Sequence, residues 1–205
     1  MRNATKTVAM WMGIVAGIGG AEHGYFEILQ GNIAPDNLGF FTSIGPPCDP
    51  ELAWNSCEPA MTILPNLLVT GILALIFGLT VLLWSAKFIE RKHGGVVLIL
   101  LSIGMLLFGG GFFPPIIGIV GGAAGMKIHK PNTRKQANGL ERSVAKLWPW
   151  PLVIFVVWTL GQIPFGYFFN DLLKSIMLYG IGLILTMLPV SVYTAYTHDV
   201  VEQSA

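Results

Sequence analysis

The sequence predicts an all-α, polytopic membrane helical bundle of about six segments, with both termini cytoplasmic. Three observations carry this reading. Of 205 residues, 53% are hydrophobic and only 11% charged, against roughly 25% charged in an ordinary soluble domain. The stretch 94–126 runs for about 33 residues without an ionisable side chain. Basic residues gather in the two connections that flank this stretch, where the positive-inside rule reads orientation. The net charge of +1 leaves no concentrated basic surface, so the expected partner is the lipid bilayer and not nucleic acid. The whole of 1–205 reads as a single integral membrane domain, with the cell (plasma) membrane as the expected location.

The first segment is expected over residues 7–30. Arg2 and Lys6 precede an apolar run, and Gly19-Gly20-Ala21 faintly resembles a signal-peptide cleavage site. The helical pattern continues past it to about Gln30, so an uncleaved helix is expected. Gly13, Gly17, Gly20 and Gly24 form a stripe of small residues, the pattern that lets a second helix backbone approach closely. His23 and Glu27 stack four residues apart on one side, with Gln30 three residues further. Glu22 projects roughly 100° from His23.

Residues 31–60 form an acidic loop holding Asp36, Asp49, Glu51 and Glu58 without Lys or Arg, which places it outside the cytoplasm. Prolines at 35, 46, 47, 50 and 59 forbid long helices there. Trp54 suits the membrane interface. Cys48 and Cys57 are the only cysteines, and in an oxidising compartment a disulfide between them is expected. No Cys/His quartet accompanies them, so no metal is expected.

The second segment covers about 61–86, with Asn66 and Thr70 on one face and Gly71, Ala74 and Gly78 as another small-residue seam. A short connection with Lys87, Glu90, Arg91, Lys92 and His93 leads into the long apolar stretch. As one helix this stretch would reach roughly 50 Å, while a hydrocarbon core is about 30 Å thick. Its middle reads Gly109-Gly110-Gly111-Phe112-Phe113-Pro114-Pro115, where glycines free the backbone and prolines remove donors. A short, Gly/Pro-broken hairpin over 94–127, either spanning as two short helices or re-entrant, is therefore expected, turning at Gly109, Gly110, Gly111, Pro114 and Pro115.

Charge leads to the same hairpin. The loop 127–146 carries Lys127, Lys130, Arg134, Lys135, Arg142 and Lys146 against Glu141 alone, so both flanking connections belong in the cytoplasm. This loop could also hold anionic lipid headgroups, although topogenic charge explains the same residues. A fifth segment over 148–169 contains Gln162 and Pro164, and a sixth runs over 173–197. His198, Asp199 and Glu202 are expected in a short cytoplasmic tail.

Counting inward from the outer side brings Glu22, His23, Glu27, Asn66 and Gln162 to a similar depth, with the glycine turn approaching them. Ionisable side chains inside membrane segments face a bundle interior, a cavity or a partner, so these five residues are the candidates for ligand binding or proton exchange. Three functions remain open: a protein that binds or transports a proton, ion or small polar ligand; a structural subunit of a homo-oligomer or larger membrane complex; and a lipid-modifying enzyme with His23 and Glu27 as an acid/base pair. No nucleophile elbow, phosphate loop or dinucleotide fingerprint occurs, and no cofactor is indicated.

Overall fold

The computed structural model describes residues 2–35, 38–44, 54, 58–130 and 137–204. Its described elements are helices α1 (Asn3–Gln30), α2 (Leu67–Phe88), α3 (Gly94–Leu107), α4 (Phe113–Gly125), α5 (Gly139–Ala145), α6 (Trp150–Phe168) and α7 (Asn170–Ser204), with two short strands, β1 (Gly39–Ile44) and β2 (Glu58–Thr62). Cys48 and Cys57, and with them the expected disulfide, lie outside the described residues.

Among the described residues, three helices, α2, α6 and α7, are long and apolar enough to cross a membrane. The α3 and α4 helices, of 14 and 13 residues, reach only about 20 Å each. Val157, Leu178 and Tyr179 are 66%, 79% and 78% exposed, an outward apolar surface suited to lipid.

Helix α1 is the axis of the bundle and packs against α2, α4, α6 and α7. Its contact with α2 is backbone to backbone. A Cβ on Gly17 would lie 2.6 Å from the Leu82 nitrogen, and one on Gly71 would lie 2.7 Å from the Gly24 carbonyl oxygen. The small residues expected to form one stripe divide between partners: Gly17 and Gly24 face α2, whereas Gly20 faces Met105 of α3. Apolar packing around Val8, Met12, Leu98, Met105 and Phe155 fills the centre.

Helices α3 and α4 form the expected antiparallel hairpin, with Gly95 against Gly122 and Gly125. Its turn is narrower than the sequence predicts. Gly109 adopts a φ of 82°, and the Gly110 N–H donates to the Met105 carbonyl oxygen at 2.8 Å, the longer bond of a Schellman helix end. Pro114 and Pro115 do not belong to the turn but open α4, because a proline in the first helical turn gives up a donor that would be unpaired anyway.

The acidic loop contains structure that its prolines hide. Strands β1 and β2 pair antiparallel, with Ile44 opposite Glu58 and Thr42 opposite Ala60. The α3–α4 turn then adds to β2: the Gly109 N–H donates to the Met61 carbonyl at 2.8 Å, and the Ile63 N–H to the Leu107 carbonyl at 3.2 Å. The glycine turn is thereby pinned to the loop.

Both ends of the described chain meet at the opposite pole. Asp199, expected in a tail, is 2% exposed and lies within α7, which continues to Ser204. Its Oδ1 accepts from the Ala4 N–H at 2.9 Å, and its Oδ2 from the Thr5 N–H at 2.8 Å and the Thr5 hydroxyl at 2.6 Å. These are first-turn donors that a helix cannot satisfy itself, and Arg2 at the N-cap offers no side-chain acceptor. Lys6 pairs with Glu90, and His129 Nε2–H donates to the Glu90 carbonyl. In the basic loop, α5 starts with a reciprocal capping box between Asn138 and Glu141.

Candidate functional site

At the loop pole, α1, α4, α6 and α7 border a partly open cavity of about 300 Å3. Helix α1 supplies Glu22 and His23, α6 supplies Thr159 and Gln162, and Trp54 reaches in from the acidic loop. The remaining wall is apolar and includes Ile18, Phe113, Ile117, Ile163 and Ile181. His23 and Gln162 are each only 8% exposed. The Thr159 hydroxyl donates to the Phe155 carbonyl at 2.8 Å, which leaves its oxygen able to accept.

Two local features shape this cavity. Pro164 lies inside α6 and has no N–H to give the Leu160 carbonyl four residues earlier; Leu160 is itself a cavity residue. Gly166 lies directly under the Trp54 indole, where any Cβ would overlap the ring. The glycine thus lets the loop tryptophan close down on α6.

The glycine turn presses on the ionisable side chains of α1. A Cβ at Gly111, whose φ is 78°, would lie 2.6 Å from the His23 ring, and one at Gly109 would overlap the Glu27 carboxylate. Glu27 is completely buried, and neither carboxylate oxygen has a hydrogen-bond partner. It sits beside Gly71 of α2 and Gly109 of the turn, and is not among the cavity-lining residues.

Of the five predicted residues, the cavity brings together Glu22, His23 and Gln162. Glu27 joins His23 beneath the turn. Asn66 stands apart and caps α2: its Oδ1 accepts from the Val69 N–H at 3.0 Å, and its side-chain amide donates to Asn32 Oδ1. An Asn directly before an apolar helical run is a recognised cap signal, which accounts for its position without a ligand. Thr159 and Trp54 were not anticipated as site residues. The signal for Thr159 was available, since it lies three residues before Gln162 on the same helix face.

His198, Asp199 and Glu202 also lie close enough together to hold a metal ion. Both Asp199 oxygens already accept hydrogen bonds from α1, and that capping role explains the cluster. Comparison of the chain with protein-family models, with curated proteins and with solved structures finds no match in any of the three.

Proposed function

We propose that this chain is an integral membrane protein that binds a small amphipathic ligand in the cavity between α1, α4, α6 and α7. Glu22, His23 and Gln162 hold the ligand's polar end, and the apolar wall takes the remainder. In this reading α1 and the α3–α4 hairpin complete a membrane domain of six segments in the plasma membrane. Both termini and the basic connections face the cytoplasm, and the cavity opens toward the outer side. The observation that supports the proposal most is the composition of the cavity: four polar side chains from two helices, Glu22, His23, Thr159 and Gln162, line a cavity whose wall is otherwise mostly apolar. Pockets of this kind use a few placed polar groups to orient a mostly apolar ligand. A purely ionic ligand fits the apolar wall poorly, so the amphipathic class is favoured over a bare ion.

The test is native mass spectrometry of the gently extracted protein, comparing wild type with His23→Ala and Gln162→Leu. A small non-protein mass present in wild type and lost in both variants supports the assignment and identifies the ligand. An adduct unchanged in both variants, or none in any sample, overturns it.

A further inference from the structure

The seam between α4 and α7 opens a second time, at the pole where the chain ends meet. Here a groove of about 500 Å3 runs between the two helices. Val120, Ala123 and Ala124 of α4 form one wall, and Pro189 and Val192 of α7 form the other. Lys127, Tyr193 and Tyr196 close its basic end.

Two cations approach one aromatic ring at this end. The Lys127 ammonium lies 5.8 Å from the centre of the Tyr196 ring, and the Arg2 guanidinium lies 4.7 Å from it. Arg2 is 5% exposed, and its Nε has no hydrogen-bond partner. Lys6 is paired with Glu90, and the Asp199 oxygens accept from Ala4 and Thr5. Among the described residues, then, no carboxylate forms an ion pair with Lys127 or Arg2. An apolar channel headed by the Lys127 ammonium and two phenol hydroxyls complements a molecule with an acyl chain and an anionic head.

We propose that this groove binds an anionic glycerophospholipid of the surrounding membrane. One acyl chain lies between α4 and α7, and the phosphodiester rests against Lys127 with the hydroxyls of Tyr193 and Tyr196 as donors. Basic pockets between membrane helices on the cytoplasmic side are suited to such headgroups. Tyrosine, with an apolar ring and a polar tip, fits the boundary between chain and head. The site is separate from the outer cavity and shares none of its lining residues.

The test uses full-length protein, delipidated in detergent and resupplied with micelles containing either phosphatidylglycerol or phosphatidylcholine, and read by native mass spectrometry. Wild type should retain phosphatidylglycerol at least tenfold better than phosphatidylcholine. Lys127→Glu should remove that preference, whereas Ala123→Trp, which fills the groove, should lower retention of both lipids. His23→Ala should leave the phosphatidylglycerol adduct intact. Thermal unfolding in lipid-free detergent verifies that the variants are folded, and Lys127→Gln replaces Lys127→Glu if the latter is not. Equal retention of both lipids by wild type, or an undiminished phosphatidylglycerol adduct in folded Lys127 and Ala123 variants, overturns the proposal. So does stabilisation by inorganic phosphate alone equal to that by phosphatidylglycerol, which would make the site one for a free anion.

Discussion

Replacing Asp199 by alanine removes the acceptors for the first turn of a helix almost 200 residues away in sequence. The structure gives the terms for its cost: two backbone N–H groups at 2.9 and 2.8 Å and one hydroxyl at 2.6 Å lose their partner at a carboxylate that is 2% exposed. A buried donor left unpaired costs about 1–3 kcal/mol, and loss of an N-cap acceptor costs about 0.5–2 kcal/mol. Because water can reach an opened helix end, a total of about 3 kcal/mol is expected and not the full sum. For a chain of this size that corresponds to a melting temperature lower by about 6–12 °C. Asp199→Asn keeps one acceptor but turns a second donor toward a donor, so about 2 kcal/mol is expected. Thr5→Val deletes only the hydroxyl and should cost about 1 kcal/mol. Thermal unfolding in detergent, followed by tryptophan fluorescence, should rank the losses Asp199→Ala, Asp199→Asn, Thr5→Val. Amide exchange at Ala4 and Thr5 should accelerate in both Asp199 variants. A melting temperature for Asp199→Ala within about 1 °C of wild type would refute the capping argument.

Other perturbations separate packing from function. Gly24→Val places atoms where the Leu75 nitrogen and Gly71 carbonyl already lie, 2.5 and 2.7 Å from a Cβ. It should cost more than the usual 1–3 kcal/mol of overpacking, visible as loss of the monodisperse peak in size-exclusion chromatography; a normal peak would argue against the close helix contact. Gly111→Ala combines an unfavourable positive φ, worth about 1–2 kcal/mol, with overlap on His23, so both the melting temperature and ligand retention should fall. Glu27→Met removes a buried carboxylate that has no hydrogen-bond partner and replaces it with a flexible apolar side chain; the melting temperature should rise by a few degrees, and a fall would show that the carboxylate is satisfied.

The parts of the fold legible in sequence are those written in composition and local spacing. The absence of charge over 94–126, with cations on either side and a Gly/Pro break in its middle, pointed to the two packed helices α3 and α4. Small residues four apart mark the α1–α2 contact, although spacing alone could not tell that Gly20 turns toward α3. Depth counting brought His23, Gln162 and the glycine turn together, because all three positions follow from helix rise. Asn66, counted to the same level, caps its own helix and is not among the residues that line the cavity. Local motifs could have found α5, since Asn138 and Glu141 have capping-box spacing. The β1–β2 pair was hidden by prolines that exclude helices without indicating what replaces them. The burial of Asp199 had no local signal, for its partners lie at the other end of the chain.

The α1–α2 contact also limits how this protein can change. An oversized side chain in a core is ordinarily rescued by a second mutation that trims its neighbour. Opposite Gly17, Gly24, Gly71 and Gly78 the neighbours include main-chain atoms of the facing helix, which no codon can make smaller. Second-site suppressors within this contact should therefore not exist. A genetic selection for revertants of Gly24→Val should return true reversions to small residues, or changes that displace a whole helix, and no compensating substitutions at the facing positions.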